Sequence, residues 1–143
     1  MNGSDDLQRF IDAQEGTYER ALLELRAGAK ESHWMWFIFP QLLGLGQSPT
    51  ARYYALRSLG EAKAYLGHPL LGPRLRECVE AVLPWSATRS AEQIFGGTDA
   101  IKLRSSLTLF DQLEPEALFQ AGLRAFFDGA PDERTLALLN EGR

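Results

Sequence analysis

The chain has one cysteine, two histidines and no long apolar run in its 143 residues. Each scarcity excludes something. Cys78 alone makes no internal disulfide, so nothing ties the fold to an oxidising compartment, and within an apolar helical stretch it reads as a buried structural thiol. His33 and His68 stand far apart and no His/Cys/Asp/Glu set has ligand spacing, so neither a metal nor another cofactor is expected. No Ser-His-Asp order and no nucleophile elbow is present. "GLGQS" has two glycines but neither spacing of a phosphate-binding loop, and no strand signal precedes it. The longest apolar run, "WMWFIF", is far too short to span a bilayer, and "MNGSDDLQRF" is too acidic for a signal peptide. A cytoplasmic protein without a membrane partner is expected. Basic residues are outnumbered 15 to 19, giving a net charge of -4. That argues against an extended nucleic-acid surface and leaves a local basic pocket open. β-branched alternation is also missing, so a sheet has no sequence support.

What is present is helical periodicity. In "DDLQRFIDAQEGTYERALLELRAG", Leu7, Phe10, Ile11, Tyr18, Ala21, Leu22 and Leu25 recur at spacings of three and four, one apolar stripe on a helix. Ser4 or Asp5 can cap its start and Gly28 can stop it. Ser58 and Glu61 match a capping box, Gly67 ends that helix, and Pro69 can open the next. The third helical segment, over 69–83, has Gly72 and Pro73 inside it, which leaves its start open; Pro84 ends it. Ser90 caps a short helix stopped by Gly96, and Thr98 or Asp99 opens a longer one. "PEALFQAGLRAFF" and "DERTLALLNEG" supply the last two. The spacing predicts an all-α single compact domain spanning residues 1–143, with about seven or eight helices. "PQLLGLGQSP" is left as a loop, of a length that is often functional.

Polar residues set among apolar ones mark a candidate binding site. Gln14 lies on the first stripe, where a buried amide must either brace another segment or face a ligand, and Tyr18 follows one turn on. In "KESHWMWFIFPQ", Lys30 and Trp34 share a helical face, as do His33 and Trp36, and Gln41 closes the segment. Flat indoles beside a cation and amide donors suit a heterocycle carrying phosphate or ribose. In "GGTDAIKLRSS", Asp99 and Lys102 can form a surface ion pair near a helix N-terminus; alternatively Lys102 and Ser105 join backbone amides in an anion site. Together these residues point to a small-molecule ligand, phosphate-containing, on a monomer or weak dimer.

Over most of its length the chain resembles the DUF1810 family of uncharacterised bacterial proteins. The resemblance rests on "RFIDAQEGTYERALLELRAGAKESHWMWFIFPQLLGLGQS", "EAKAYLGHPLLGPRLRECVEAVL" and "IFGGTDAIKLRSSLTLF". It implies a mainly helical single domain and no established activity. "DAQ" and "HPLLGPRLRECV…IFGGTD" are also similar in order to the NADAR/YbiA-like N-glycosidases, with Gln8 and Arg9 standing where that family has an acidic residue and a histidine. That second resemblance implies hydrolysis of an N-glycosidic bond in a nucleoside or ADP-ribose-like substrate. Glu31 or Asp99 would then be the catalytic carboxylate facing an oxocarbenium-like transition state, with Lys30 and Arg9 holding phosphate. The alternative is a helical module that binds a nucleotide or a protein partner without catalysis.

Overall fold

The first apolar stripe does not form one helix. A computed structural model describes residues 3–113 and 117–141, with side chains described from Leu7 onward. In it α1 (Gly3–Gln14) and α2 (Tyr18–Arg26) are separated by a turn in which Gly16 takes φ +75°, a conformation that only glycine adopts without cost. The periodicity runs across the break because both helices press the same apolar face onto one core: Leu7 and Phe10 from α1, Tyr18, Ala21, Leu22 and Leu25 from α2. Ser4 and Asp5 fall within the first turn of α1, and a side-chain cap from either lies outside the described residues.

The all-α expectation holds, with ten α-helices and one 3-10 turn among the described residues. The surplus over the expected number has three sources. One is the break at Gly16. The second is α3 (Met35–Ile38), a single turn made by the aromatic run. The third is α4 (Pro49–Tyr53), inside what reads as loop, opened by Pro49 and capped where Ser48 Oγ accepts the Ala51 amide at 3.1 Å. Then come α5 (Leu59–Gly67), α6 (Leu71–Val82), the 3-10 turn Leu83–Ala87, α7 (Ala91–Phe95) and α8 (Gly97–Leu113). The last two are α9 (Ala117–Phe127) and α10 (Glu133–Glu141). The "PE" proposed to open α9 lies outside the described residues.

Local chemistry sets most boundaries. Ser90 and Gln93 form a full capping box at α7, and Gly96 ends it with φ +84°. At α5 only half of the expected box forms. Ser58 Oγ accepts the Glu61 amide, but the Glu61 carboxylate takes the Arg57 amide at 3.0 Å and the Arg9 guanidinium at 2.8 Å. A buried guanidinium outcompetes the cap amide for that carboxylate. Gly72 and Pro73 sit in the first turn of α6, where proline loses no intrahelical bond. His68 Nδ1 accepts the Leu70 and Leu71 amides there, and a Cβ on Gly72 would lie 2.1 Å from the Leu66 carbonyl.

One aromatic chain runs through the core: Phe10 of α1 meets Tyr65 of α5 at 5.0 Å, Tyr65 meets Phe110 of α8 at 5.8 Å, and Phe110 meets Phe119 of α9 at 5.9 Å. Such pairs add about 0.5–1.5 kcal/mol each beyond burial of their area. Trp34, Met35, Phe37, Ile38 and Phe39 are buried in the same cluster, so five of the six residues of the aromatic run are core. Trp36 alone is half-exposed. No helix among the described residues is long and apolar enough to cross a membrane.

Candidate functional site

Three separate sets of contacts take up the polar residues singled out in the sequence. The first centres on Asp99 in the opening turn of α8. Lys30 Nζ lies 2.8 Å from Asp99 Oδ2 and Lys102 Nζ lies 3.3 Å from Asp99 Oδ1, so one carboxylate is clamped between two ammonium groups. Both cations also cover indole faces, Lys30 at 5.0 Å from the Trp34 ring and Lys102 at 5.8 Å from the Trp36 ring. Lys30 is the inner member, its side chain 7% exposed and its Nζ also donating to the Ser32 carbonyl at 2.7 Å. Lys102 and Asp99 are nearer the surface, at 18% and 20%. The expected Asp99–Lys102 pair is therefore present, and Lys30 joins it from a distant part of the chain.

Glu24, which the sequence reading passed over, shapes the segment carrying Lys30. Its carboxylate accepts the Glu31 amide at 2.7 Å, the Ser32 amide at 3.0 Å, the Ser32 hydroxyl and the Trp34 indole Nε1 at 2.9 Å. Burial opposes ionisation of this group. The bonds from Ser32, Glu31 and Trp34 outweigh it and hold the carboxyl down at about 2. The Lys30 amide is pinned to the Ile94 carbonyl at 2.8 Å, which brings the turn alongside α7 and the start of α8. A glutamate in the last turn of a helix that bonds the turn beyond it leaves no periodicity signal, which is why Glu24 was missed.

The second set contains Gln14 and Tyr18. Gln14 is 1% exposed. Its Nε2 donates to the Phe37 carbonyl at 2.8 Å and contacts the Tyr65 hydroxyl at 3.2 Å, while its Oε1 accepts from Arg74 at 3.2 Å. Arg74 lies over the Tyr18 ring at 4.5 Å, and the Tyr18 hydroxyl donates to Glu77. Burial first, and then Glu77, raises the Tyr18 pKa; burial likewise pushes the Cys78 thiol up to about 12, an unreactive state. Gln14 thus braces α3 against α1, α5 and α6. Arg9 anchors the third set. Its buried guanidinium donates to the Tyr53 carbonyl at 2.7 Å and the Ala55 carbonyl at 2.8 Å and pairs with Glu61, fastening the turn after α4 onto α1.

The remaining candidates divide. Glu31 and His33 are exposed, and the His33 ring makes no hydrogen bond among the described residues. Gln41 is half-buried, and its carbonyl accepts the Leu56 amide at 2.8 Å. Ser105 is buried and its hydroxyl donates to the Ile101 carbonyl of its own helix at 3.1 Å, so it serves the helix backbone. In "GLGQS", Gly44 takes φ +110° and Gly46 packs where a Cβ would lie 2.6 Å from the Ala51 methyl; both glycines shape the loop that leads to α4. Lys30, Trp34, Trp36, Asp99 and Lys102 are therefore the predicted residues gathered at one place.

Among curated proteins, none matches the chain. A crystal structure of the conserved hypothetical protein Rv1873 from Mycobacterium tuberculosis does: it is 51% identical, covers 94% of this chain and 96% of that one, and superposes with a TM-score of 0.91. The family model described as "Protein of unknown function (DUF1810)" matches residues 4–139, and the chain belongs to that family.

Proposed function

We propose that the chain is a helical binding module for a small anionic ligand with a flat ring, a nucleotide or an ADP-ribose-like molecule, received at Lys102, Trp36 and the opening turn of α8. The observation that carries this reading is the charge balance at Asp99. Two lysines share one carboxylate, which leaves a net positive charge beside a half-exposed indole. The positive end of the α8 dipole adds to it. Lys30 is the buried member that holds Asp99; Lys102, nearer the surface, is placed to turn from Asp99 to a phosphate.

Hydrolysis of an N-glycosidic bond is the further step that the NADAR/YbiA-like resemblance implies, with Asp99 or Glu31 as the carboxylate. The geometry favours binding instead. A carboxylate already compensated by two ammonium groups adds little to the stabilisation of a developing oxocarbenium ion, and Glu31 is exposed to water. Titration of the purified chain with ADP-ribose, AMP and NAD tests both. A ligand at 100 times its Kd should add about 2.7 kcal/mol to stability. Lys102→Ala should weaken binding about ten-fold or more, the scale of one charge-assisted contact. No thermal shift with any of the three, or a shift unchanged in Lys102→Ala, would remove the reading. Release of nicotinamide from NAD, lost in Asp99→Asn, would replace it with the hydrolytic one.

A further inference from the structure

A cleft of about 240 Å³, sharing no residue with the lysine cluster, lies between the start of α5, the paired backbones of Leu42 and Leu56, and α10. Its walls are aliphatic, with Leu42, Leu56, Leu59 and Leu138 prominent among them and no aromatic ring in the lining. Two polar residues, Arg57 and Ser58, line it as well. The exposed Arg57 guanidinium makes no ion pair or hydrogen bond among the described residues. The Ser58 oxygen accepts the Glu61 amide at 3.0 Å, so its hydroxyl proton remains available to a ligand. Of the carboxylates near it in the chain, Glu61 pairs with Arg9 and takes the Arg57 amide, and Asp132 accepts the amide and hydroxyl of Thr135 at the head of α10, while Glu133 and Glu141 of α10 are exposed to water. Arg134 adds a second cation on this side of the molecule, donating to the Gly44 carbonyl beside Leu43.

We propose that this cleft binds an aliphatic carboxylate of medium chain length, its hydrocarbon tail against the leucines and its carboxylate on Arg57 and the Ser58 hydroxyl. Size, wall and charge each narrow the ligand. An apolar cavity of ~150 Å³ accepts benzene, so this cleft takes a tail of about six to eight carbons on the same scale. Leucine walls have no hydrogen bonds to give a sugar or a base, which excludes the nucleotide class proposed for the lysine cluster. A cation and a hydroxyl on adjacent lining residues, the cation without an ion pair among the described residues, select an anionic head over a neutral or cationic one. The proposal is independent of the site at Lys102, since the two share no residue.

The test uses the full chain with methyl-labelled leucine, titrated with octanoate, hexanoate and octan-1-ol and followed by NMR. Octanoate should shift the methyl signals of Leu42, Leu56, Leu59 and Leu138. Hexanoate should bind more than ten-fold more weakly, because each buried methylene is worth about a four-fold change in affinity. Octan-1-ol should bind about ten-fold more weakly than octanoate, and Arg57→Gln should reduce the octanoate affinity by a similar factor. Arg57 is a surface side chain, so the variant should keep its melting temperature and its loss reports on binding. Absence of shifts at the cleft leucines up to millimolar octanoate overturns the proposal. So does octan-1-ol binding as tightly as octanoate with Arg57→Gln unaffected, since the cleft would then be reading the tail alone.

Discussion

Replacing Gln14 by leucine distinguishes a brace from a ligand contact, because the two roles predict stability changes of opposite sign. The apolar stripe of α1 would accept leucine on volume alone, and a pocket-facing glutamine would be replaced at no loss of stability or with a gain. The structure predicts a loss. Gln14 serves three partners: the Phe37 carbonyl at 2.8 Å, the Tyr65 hydroxyl at 3.2 Å and Arg74 at 3.2 Å. After substitution the Phe37 carbonyl keeps only the Tyr65 hydroxyl, at 3.4 Å, inside the core. Arg74 is half-buried and regains water in part, so its share is small. One poorly satisfied buried carbonyl and one hydroxyl facing methyl groups put the cost at about 2–3 kcal/mol. For a chain of this length that is a drop in Tm of about 6–12 °C. Urea denaturation should show a lower midpoint at unchanged slope, the sign of lost stability with an unchanged unfolded state. A double-mutant cycle with Arg74→Leu should give a coupling of about 0.5 kcal/mol or more, since the two side chains share a hydrogen bond. Binding of any nucleotide at Lys102 should be unaltered in the folded variant. A Gln14→Leu protein as stable as the parent, or more stable, would refute the bracing role.

Two further substitutions probe the frame of the lysine cluster. Gly28→Ala should cost about 3 kcal/mol, because residue 28 has φ +70° and a Cβ there would lie 2.5 Å from the Trp85 ring that closes over the end of α2; Gly67→Ala, with no atom within 4 Å of the new methyl, is the control and should change urea stability by less than about 1 kcal/mol. Glu24→Gln should lower stability at pH 7 by about 1–3 kcal/mol by weakening charge-assisted bonds. Its pH dependence has a definite sign: the Glu24 pKa falls from 4.5 to about 2 on folding, so its contribution is complete above pH 4.5 and disappears as pH drops toward 2. The gap between parent and Glu24→Gln, measured by urea unfolding, should close over that interval; a gap constant from pH 7 to pH 2 would show that ionisation of Glu24 has no part in it.

The helices were legible because they follow local rules. Capping at Ser58 and Ser90, the stops at Gly28, Gly67 and Gly96, and the three-four spacing of Leu7, Phe10, Ala21 and Leu25 are all set by neighbours in sequence. The errors arose where periodicity hides a break, where a tertiary partner takes a capping group, and where a helix is too short to show a period. Gly16 breaks a continuous stripe, since two helices on one core keep the same apolar phase as a single helix. The Glu61 carboxylate leaves its capping box for Arg9, which arrives from α1. The residues 49–53 form a helix on the strength of one serine cap and one proline, too short for periodicity to register.

The candidate site was legible in half. Asp99 and Lys102 lie three apart, and their pairing follows from helix geometry. The arrival of Lys30 does not, because it depends on Glu24 folding the 31–34 turn and on the Lys30 amide finding the Ile94 carbonyl. Polar residues among apolar ones all look alike in a sequence, yet here they are of two kinds. Gln14 and Arg9 are buried and bonded to backbone carbonyls of other segments; their groups are satisfied by the fold and have little left to offer a ligand. Lys102 and Trp36 keep part of their surface in water, and Lys102 is held by the Trp36 ring that it covers and by a carboxylate already shared with Lys30. A shared carboxylate is the weaker hold, and under the proposed function Lys102 would turn to an incoming anion while Lys30 keeps Asp99 in place. On that proposal, Lys102, rather than the bracing residues Gln14 and Arg9, is the residue whose loss should register first in a binding assay.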